Sequence, residues 1–415
     1  VTTSNTYDVI IAGGGPAGAS MAIQLATDGA RVLLVEEKKF PRAKLCGEFI
    51  SPECLAHFKR LGVLKQMTSA GGAALSETAF YSRRGHSVTV PSEWFGSGAT
   101  ALGLSRSEMD YNLLQRAKDA GAVVMEQAHA SGLIQERGAI RGITIKTAAS
   151  VDEFLARITI DATGRSRALA RHADVKGRQR SRNSQRPLVA FKAHLENARV
   201  AEGACEIYFY RGGYGGLSSV EGGVSNLCFI VAAEEVRRHG SDPEAVMREV
   251  VMQNARARHT LAEARTTTPW LSVSFERFGR GTLTPAAGLL AIGDAASFID
   301  PFTGSGMLMA LESGQIAAEL VSRHLRRLSQ PDQADSLDPA RLARDYKASY
   351  ARAFNSRLRF SGFLRRAAFV PLFAETAMLL FSTSARLRRR LARATRPRPN
   401  VSSEPTAIAG GRAGK

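Results

Sequence analysis

The chain opens on "DVIIA" (8–12), an apolar run closed by three glycines. It is followed by "PAGASMAIQLATDGA" (16–30), whose apolar residues recur at helical spacing, and by a second apolar run, "RVLLVEE" (31–37). The pattern predicts a buried strand, a helix and another buried strand in one short β-α-β unit. Further on, "RSEMDYNLLQRAKDAGA" (106–122) reads as an amphipathic helix, followed by alternating strands over 122–145 and a strand ending in "ITIDATG" (158–164). Between 186 and 280 the pattern changes to alternating segments such as "EIYFYRGG" and "SNLCFIVA", broken by glycine pairs, which predicts antiparallel strands in a second layer. Residues 288–325 return to a buried strand, a loop and a long helix, so the first domain is expected to be discontinuous in sequence.

Composition narrows the picture without redrawing it. With 44% hydrophobic and 23% charged residues, the 415-residue chain has a globular balance and room for one large α/β core with added parts. Its four cysteines, Cys46, Cys54, Cys205 and Cys228, form neither a C-x-x-C pair nor a zinc spacing, which argues against a disulfide framework and a metal centre and fits a reducing cytoplasm. The start, "VTTSNTYDVIIAGGG", lacks the regions of a signal peptide and carries no initiator methionine, so a processed end and a cytoplasmic location are expected. The longest apolar run, 367–381, contains Pro371 and Glu375 and falls short of the roughly 20 residues that a membrane-spanning helix needs.

The net charge of +18 is concentrated at the end of the chain: 17 Lys or Arg against Asp345, Glu375 and Glu404 over 339–415. A basic tail of this kind suits peripheral contact with acidic lipid, and it reads equally as a solvated arginine-rich face. No specific nucleic-acid partner is expected.

The first loop carries candidate chemistry. Gly13-x-Gly15-x-x-Gly18 follows a strand and opens a helix. Gly13 permits a tight turn, Gly15 lets backbone approach a pyrophosphate, and Gly18 allows helix and strand to pack closely. Pro16 and Ala17 complete the turn at the helix N-terminus, where unpaired N–H groups favour phosphate. Glu36 ends the second strand 21 residues after Gly15, close to the roughly 20 expected for an acid on an adenosine ribose, with Glu37 beside it. A carboxylate there repels a 2′-phosphate, leaving FAD or NAD as the tightly held nucleotide.

The segment "LLAIGDAASFIDPFTGSGM" (289–307) separates the two. An extended FAD needs a second contact surface, and here a strand ends at Gly293, Asp294 offers a carboxylate to sugar-chain hydroxyls, and Pro301 begins a loop that opens onto a helix. N–H groups around Gly304, Ser305, Gly306 and Met307 are expected to face the N1–C2=O edge of the ring, where negative charge develops on reduction.

Together "GGGPAGAS", "DATGRS" and "GDAASFIDPFTGSGM" resemble the three FAD motifs of the flavoprotein monooxygenase superfamily, including its geranylgeranyl reductase and halogenase branches, in order and spacing over about 7–325. The resemblance implies a Rossmann-like FAD domain of the glutathione-reductase type, an α/β fold with a mixed or antiparallel substrate sheet and a helical C-terminus. The boundaries expected are 1–75, 100–185 and 280–328 for the FAD domain, 76–99 and 186–279 for the substrate sheet, 339–395 for basic helices and 396–415 for a disordered tail. It also implies that Arg106 reaches a non-covalent FAD, that Asp161 and Gly164 serve both FAD and a transient NADPH or NADH, and that Ala130 lies at the cofactor.

The stretch "RAKLCGEFISP" (42–52) resembles the cysteine-glycine signature of the reductases and, in "GEFISP", the glycine-glutamate signature of the halogenases. Arg42 and Lys44 are candidates for the pyrophosphate or for tuning Cys46; Cys46 and Gly47 are expected to pass beside the ring. Without a resolving partner Cys46 reads as packing against the ring ahead of acting on substrate, and Glu48 as either a pocket acid or a helix-start carboxylate. The lysine that a halogenase needs is missing from 76–79, and the reductases' "Y-x-W-x-F-P" element survives only as Tyr214 in "GGYGGLSSV", which implies a wider pocket. The eight histidines show no metal spacing and read as surface or packing residues.

The first expectation is a NAD(P)H-dependent monooxygenase that uses molecular oxygen to hydroxylate a hydrophobic aromatic or polyketide-like molecule, with Cys46, Glu48 and Tyr214 as candidate catalytic residues. The alternative is reduction of isoprenoid double bonds. Halogenation and a non-catalytic basic binding protein rank below both.

Overall fold

The computed structural model describes residues 5–95, 99–173, 187–275, 278–328, 339–368 and 384–394. In chain order the elements used below are β1 (Thr6–Ala12), α1 (Pro16–Thr27), β2 (Val32–Val35), α2 (Pro52–Leu61), β3 (Glu77–Tyr81), β4 (Ser87–Pro91), α3 (Arg106–Asp119), β5 (Val123–Met125), β6 (His129–Glu136), β7 (Ala139–Lys146) and β8 (Val151–Asp161). They continue with β9 (Leu188–Glu196), β10 (Ala204–Tyr210), β11 (Gly213–Ser219), β12 (Ser225–Ala232), β13 (Leu271–Phe275), β14 (Leu289–Ala291), α4 (Gly306–Leu328), α5 (Pro339–Ala368) and α6 (Ala385–Ala394). The expected tail over 396–415 lies outside the described residues.

The first sheet has the order β5-β2-β1-β8-β7-β6. β8 is shared: its N-terminal half pairs antiparallel with β7, and its C-terminal half pairs parallel with β14 through Thr159–Leu289, Ile160–Leu290 and Asp161–Ala291. A strand from near residue 290 is thereby set beside the first β-α-β unit. β1 and β2 are buried on both faces, as central parallel strands must be, and this accounts for their unbroken apolar runs.

Pro16 starts α1, its fixed φ suited to the first helical turn, and Gly29, at φ 88°, ends the turn after it. The helix is rich in small residues because α4 crosses it closely; a Cβ on Gly314 would lie 2.6 Å from the Ala17 carbonyl oxygen and from Ser20 Oγ. Met21, Ile23 and Leu25 complete its buried side. Full burial of side chains this size contributes about 1.5–3 kcal/mol each.

The second sheet runs Arg265–Thr266, then β9-β12-β11-β10-β3-β4, with β13 also pairing β9. β3 and β4, from the early part of the chain, add to strands from 188–275. Phe191, Leu217, Leu227, Phe229, Tyr208 and Tyr210 form the core of one face with the helices over 243–260. The other face looks toward the first sheet. Among the described residues no helix is long and apolar enough to cross a membrane.

Candidate active site

A cavity of about 810 Å³ runs between the two sheets. Its nucleotide end is built from backbone. Gly13 has φ 110°, and a Cβ there would lie 2.3 Å from the Ala162 carbonyl oxygen; on Gly18 it would lie 1.9 Å from the Gly13 carbonyl oxygen. Neither position admits a side chain, so β1, α1 and the end of β8 close to backbone contact, and Gly15, Pro16 and Ala17 line the cavity. The Glu36 carboxylate accepts from the N–H groups of Gly14 (2.8 Å) and Lys38 (2.9 Å), which fixes it at the cavity wall with lone pairs to spare. Glu37, Arg42 and Lys44 line the same end. Arg42 lies 3.7 Å from both Glu36 and Asp110, yet its Nε and Nη1 are buried with no hydrogen-bond partner among the described residues.

Midway, Arg106 sits at the start of α3, capped by Ser105, whose side chain accepts from Glu108 N–H at 3.2 Å. Its guanidinium is bidentate to Asp110 (2.8 and 2.7 Å) and lies against the Cys46 sulfur. Burial alone lowers its pKa, but the charge and hydrogen bonds of Asp110, with Cys46, carry it above the ordinary value. Opposite are Gly293, Asp294, Pro301, Gly304, Gly306 and Met307. Gly304 is left-handed at φ 60° and ends a short turn capped by Asp300, whose carboxylate accepts from Phe302 N–H. Burial raises the Asp294 pKa, against the pull of Arg165, Arg106 and Lys44.

The far end is side-chain chemistry set by strand register. Ala190, Ile230, Tyr214 and Phe209 are aligned across β9, β12, β11 and β10; Lys192, Cys228, Gly216 and Ile207 form the next row, and His194, Asn226, Ser218 and Cys205 the third. Alternation along each strand turns all three rows to the same face. The first row meets Phe80 and Phe302 in an apolar chamber, with the ring of Phe302 5.4–6.0 Å from those of Tyr214, Phe209 and Phe80.

The second and third rows grip the loop at 46–48. Glu48 is buried and left-handed (φ 54°). Its carboxylate forms an ion pair with Lys192 Nζ at 3.1 Å, accepts from Arg106 N–H at 3.0 Å, and pairs with His194 Nε2 at 2.7 Å. Asn226 Nδ2 donates to the Cys46 carbonyl at 3.1 Å, and Glu48 N–H to Cys46 Sγ at 3.5 Å. Burial pushes the Glu48 pKa up, but the His194 hydrogen bond, Lys192 and the Arg106 amide more than offset it and hold it below the ordinary value.

Residues 6–347 match the family model described as FAD binding domain. The chain belongs to this FAD-binding family. It is an FAD-dependent oxidoreductase. Among curated relatives, it is 27% identical over 318 residues to the digeranylgeranylglycerophospholipid reductase of Methanosarcina mazei (75% of this chain, 74% of that one). It is 28% identical over 337 residues to the menaquinone reductase of Mycolicibacterium smegmatis (76% of each chain). Two solved structures share the fold. A flavin-dependent brominase, Bmp2, has TM-score 0.75 at 20% identity, covering 94% of both chains. A geranylgeranyl bacteriochlorophyll reductase-like protein of Thermoplasma acidophilum has TM-score 0.71 at 21%, covering 94% of this chain and 92% of that one.

The glycine cradle and Arg42 fit the FAD that the family binds: the first accepts a pyrophosphate, and the second keeps two buried nitrogens without a hydrogen-bond partner among the described residues, although Glu36 and Asp110 lie 3.7 Å away. Most residues expected at the cofactor line the cavity, including Cys46, Gly47, Ala130 and Gly164.

Three of them do not line it as expected. Asp161 is fully buried, and its carboxylate accepts from Thr163 N–H (3.0 Å), Thr163 Oγ1 (2.6 Å) and Ala170 N–H (2.8 Å), so it shapes the turn that presents Gly164 and does not itself reach the cavity. Gly18 is spent on helix–strand packing, and Ser305 is buried behind its two glycine neighbours. Tyr214, a catalytic candidate, has its buried hydroxyl hydrogen-bonded to Asp300, and burial and then Asp300 raise its pKa well above the ordinary value; its ring forms part of the chamber wall. Glu48 is a pocket carboxylate and not a cap of α2, which starts after Ser51.

His194 corrects the reading of the histidines as surface or packing residues: with Lys192 and Asn226 it holds the 46–48 loop against the second sheet. The signal was present in "AFKAHLE", where Lys192 and His194 alternate with Phe191, Ala193 and Leu195 and therefore share one face of a strand.

Proposed function

We propose that the protein uses reduced FAD to saturate a carbon–carbon double bond in a long apolar substrate of isoprenoid type, with Cys46 as the proton donor. One observation carries the reading: Cys46 lies where the cofactor half of the cavity meets the apolar chamber, its sulfur held between the Glu48 N–H and the Arg106 guanidinium. When bound, the flavin supplies a hydride, with NADPH or NADH as its reductant. The residues of this chain do the rest. Ala190, Ile230, Phe209, Tyr214 and Phe302 surround an apolar chain and exclude water. The Cys46 thiol gives its proton to the second carbon, Arg106 balances the charge left on sulfur, and a solvent proton restores the thiol. One hydride and one proton added across the double bond complete the balance. The names of the relatives, reductases of a digeranylgeranylglycerophospholipid and of menaquinone, support the same class.

A second reading, oxygen-dependent hydroxylation of an aromatic or polyketide-like molecule, draws support from Gly216. It lines the chamber without a side chain, so that stretch of wall is bare backbone flanked by Ile207, a surface that suits a flat ring.

The two readings separate on reduction of the purified flavoprotein without oxygen in the presence of geranylgeraniol. The first predicts saturated product and re-oxidised flavin, with Cys46→Ala lowering the yield at least about 100-fold at unchanged flavin content. Product that forms only after oxygen is admitted, and that carries an added oxygen atom, replaces it with the second.

A further inference from the structure

The mouth of the chamber carries a cation that neither reading uses. α6 packs against β4 and the turn Ser92–Phe95, whose Val88, Val90 and Phe95 line the chamber rim. Its sequence, ARLRRRLARA, has five arginines and no acid. Arg386, Arg389 and Arg390 are exposed, whereas Arg388 is half-buried and lines the cavity. The cations deeper in the cavity have acidic neighbours: Arg106 has Asp110, Arg42 has Glu36 and Asp110, and Arg165 is drawn by Asp294. Arg388 forms no ion pair among the described residues, and its Nε is buried without a hydrogen-bond partner. A buried donor left unmatched costs about 1–3 kcal/mol, and an anion at the mouth would remove that cost with a charge-assisted hydrogen bond.

We propose that Arg388 forms a subsite for an anionic head group, a phosphate or carboxylate, at the end of an apolar chain that lies in the chamber. The inference rests on the reading that the chamber takes such a chain, and it gives that chain an amphiphilic end. The chamber holds the apolar part; Arg388, at the rim, meets the charged part as it leaves apolar surroundings. Arg386, Arg389 and Arg390 add a positive field outside the mouth that attracts the same charge without contacting it.

Calorimetric titration of the oxidised flavoprotein with dodecyl phosphate and with dodecanol tests the subsite independently of the reaction, since neither probe has a double bond to reduce. The phosphate is expected to bind about tenfold tighter than the alcohol. Arg388→Gln should erase that difference, Arg388→Lys should keep part of it, and Arg389→Gln should leave it intact. Co-sedimentation with phosphatidylglycerol vesicles, lost in Arg388→Gln, would assign the head group to a bilayer lipid. Tight dodecyl phosphate binding without co-sedimentation would assign it to a free amphiphile. Equal affinity for the two probes, a preference that survives Arg388→Gln, or no binding of either overturns the proposal. Failure of double-bond reduction with the phosphate preference intact removes the reaction and leaves the subsite.

Discussion

The two ends of the cavity are built by different means. At the nucleotide end the recognising atoms belong mostly to the backbone, and the sequence contributes by withholding side chains at Gly13 and Gly18. At the chamber end the sheet backbone is spent on its own ladder, and recognition falls to side chains sorted into rows by register. The first arrangement starts from residues close together in the chain, on which Ala162 and Gly293 close from farther along it. The second depends on strands from 77–91 and 188–275 meeting in the correct alignment.

The comparison predicts that damage at one end should be separable from damage at the other. The largest effect is expected from Gly18→Val, whose side chain has no room against the Gly13 carbonyl. It should abolish flavin retention, seen as a colourless protein, while the second sheet and its core stay folded by near-ultraviolet circular dichroism.

Glu48→Gln should act in the opposite sense. It leaves Lys192 charged and buried, at a cost of about 3 kcal/mol in denaturant melts, and turnover should fall at least about tenfold while flavin content stays within about twofold. Adding Lys192→Met to Glu48→Gln should recover most of the stability but not the turnover, because the 46–48 loop stays ungripped. The carboxylate also sets a pH limit. Its folded pKa lies below the unfolded value, so the clamp contributes fully above the ordinary carboxylate range and is lost as pH falls through the folded value.

A smaller effect is expected of Gly216→Leu, whose side chain must push Ile207 aside and narrows the chamber, and which should weaken binding of a flat aromatic ligand about tenfold more than that of a flexible chain. Smallest is His57→Gln, on α2 and away from both ends. Burial, then Arg60 and Arg357, lower the His57 pKa to about 4 from 6.5. Between those values the unfolded chain takes up a proton that the folded chain refuses, so acidification over that window destabilises the protein; the variant should flatten this part of a melting-temperature profile.

What could be read in the sequence follows the same division. Gly13, Gly15, Gly18 and Glu36 stand within one β-α-β unit, where spacing along the chain is spacing in space, and the segment around Gly293–Met307 could be joined to it by resemblance of order. The alternating runs announced a second sheet. They did not say that Lys192 and His194 would meet Glu48, because that contact spans about 146 residues and is set by cross-sheet packing. Asp161 shows the converse error: a motif carboxylate invites a ligand role, while its short-range partners Thr163 and Ala170 consume it. Tyr214 likewise looked chemical in isolation, and only its pairing with Asp300, 86 residues away, shows the hydroxyl to be engaged.

The parallel pairing of β14 with β8 has a consequence for biosynthesis. The first glycine turn leaves the ribosome ahead of the opposite wall, which meets it where Gly293 faces Ala17 and emerges 276 residues later. Prosthetic-group capture therefore waits until that second wall has been made, and a polypeptide cut short before it keeps the familiar glycine signature with only half a grip.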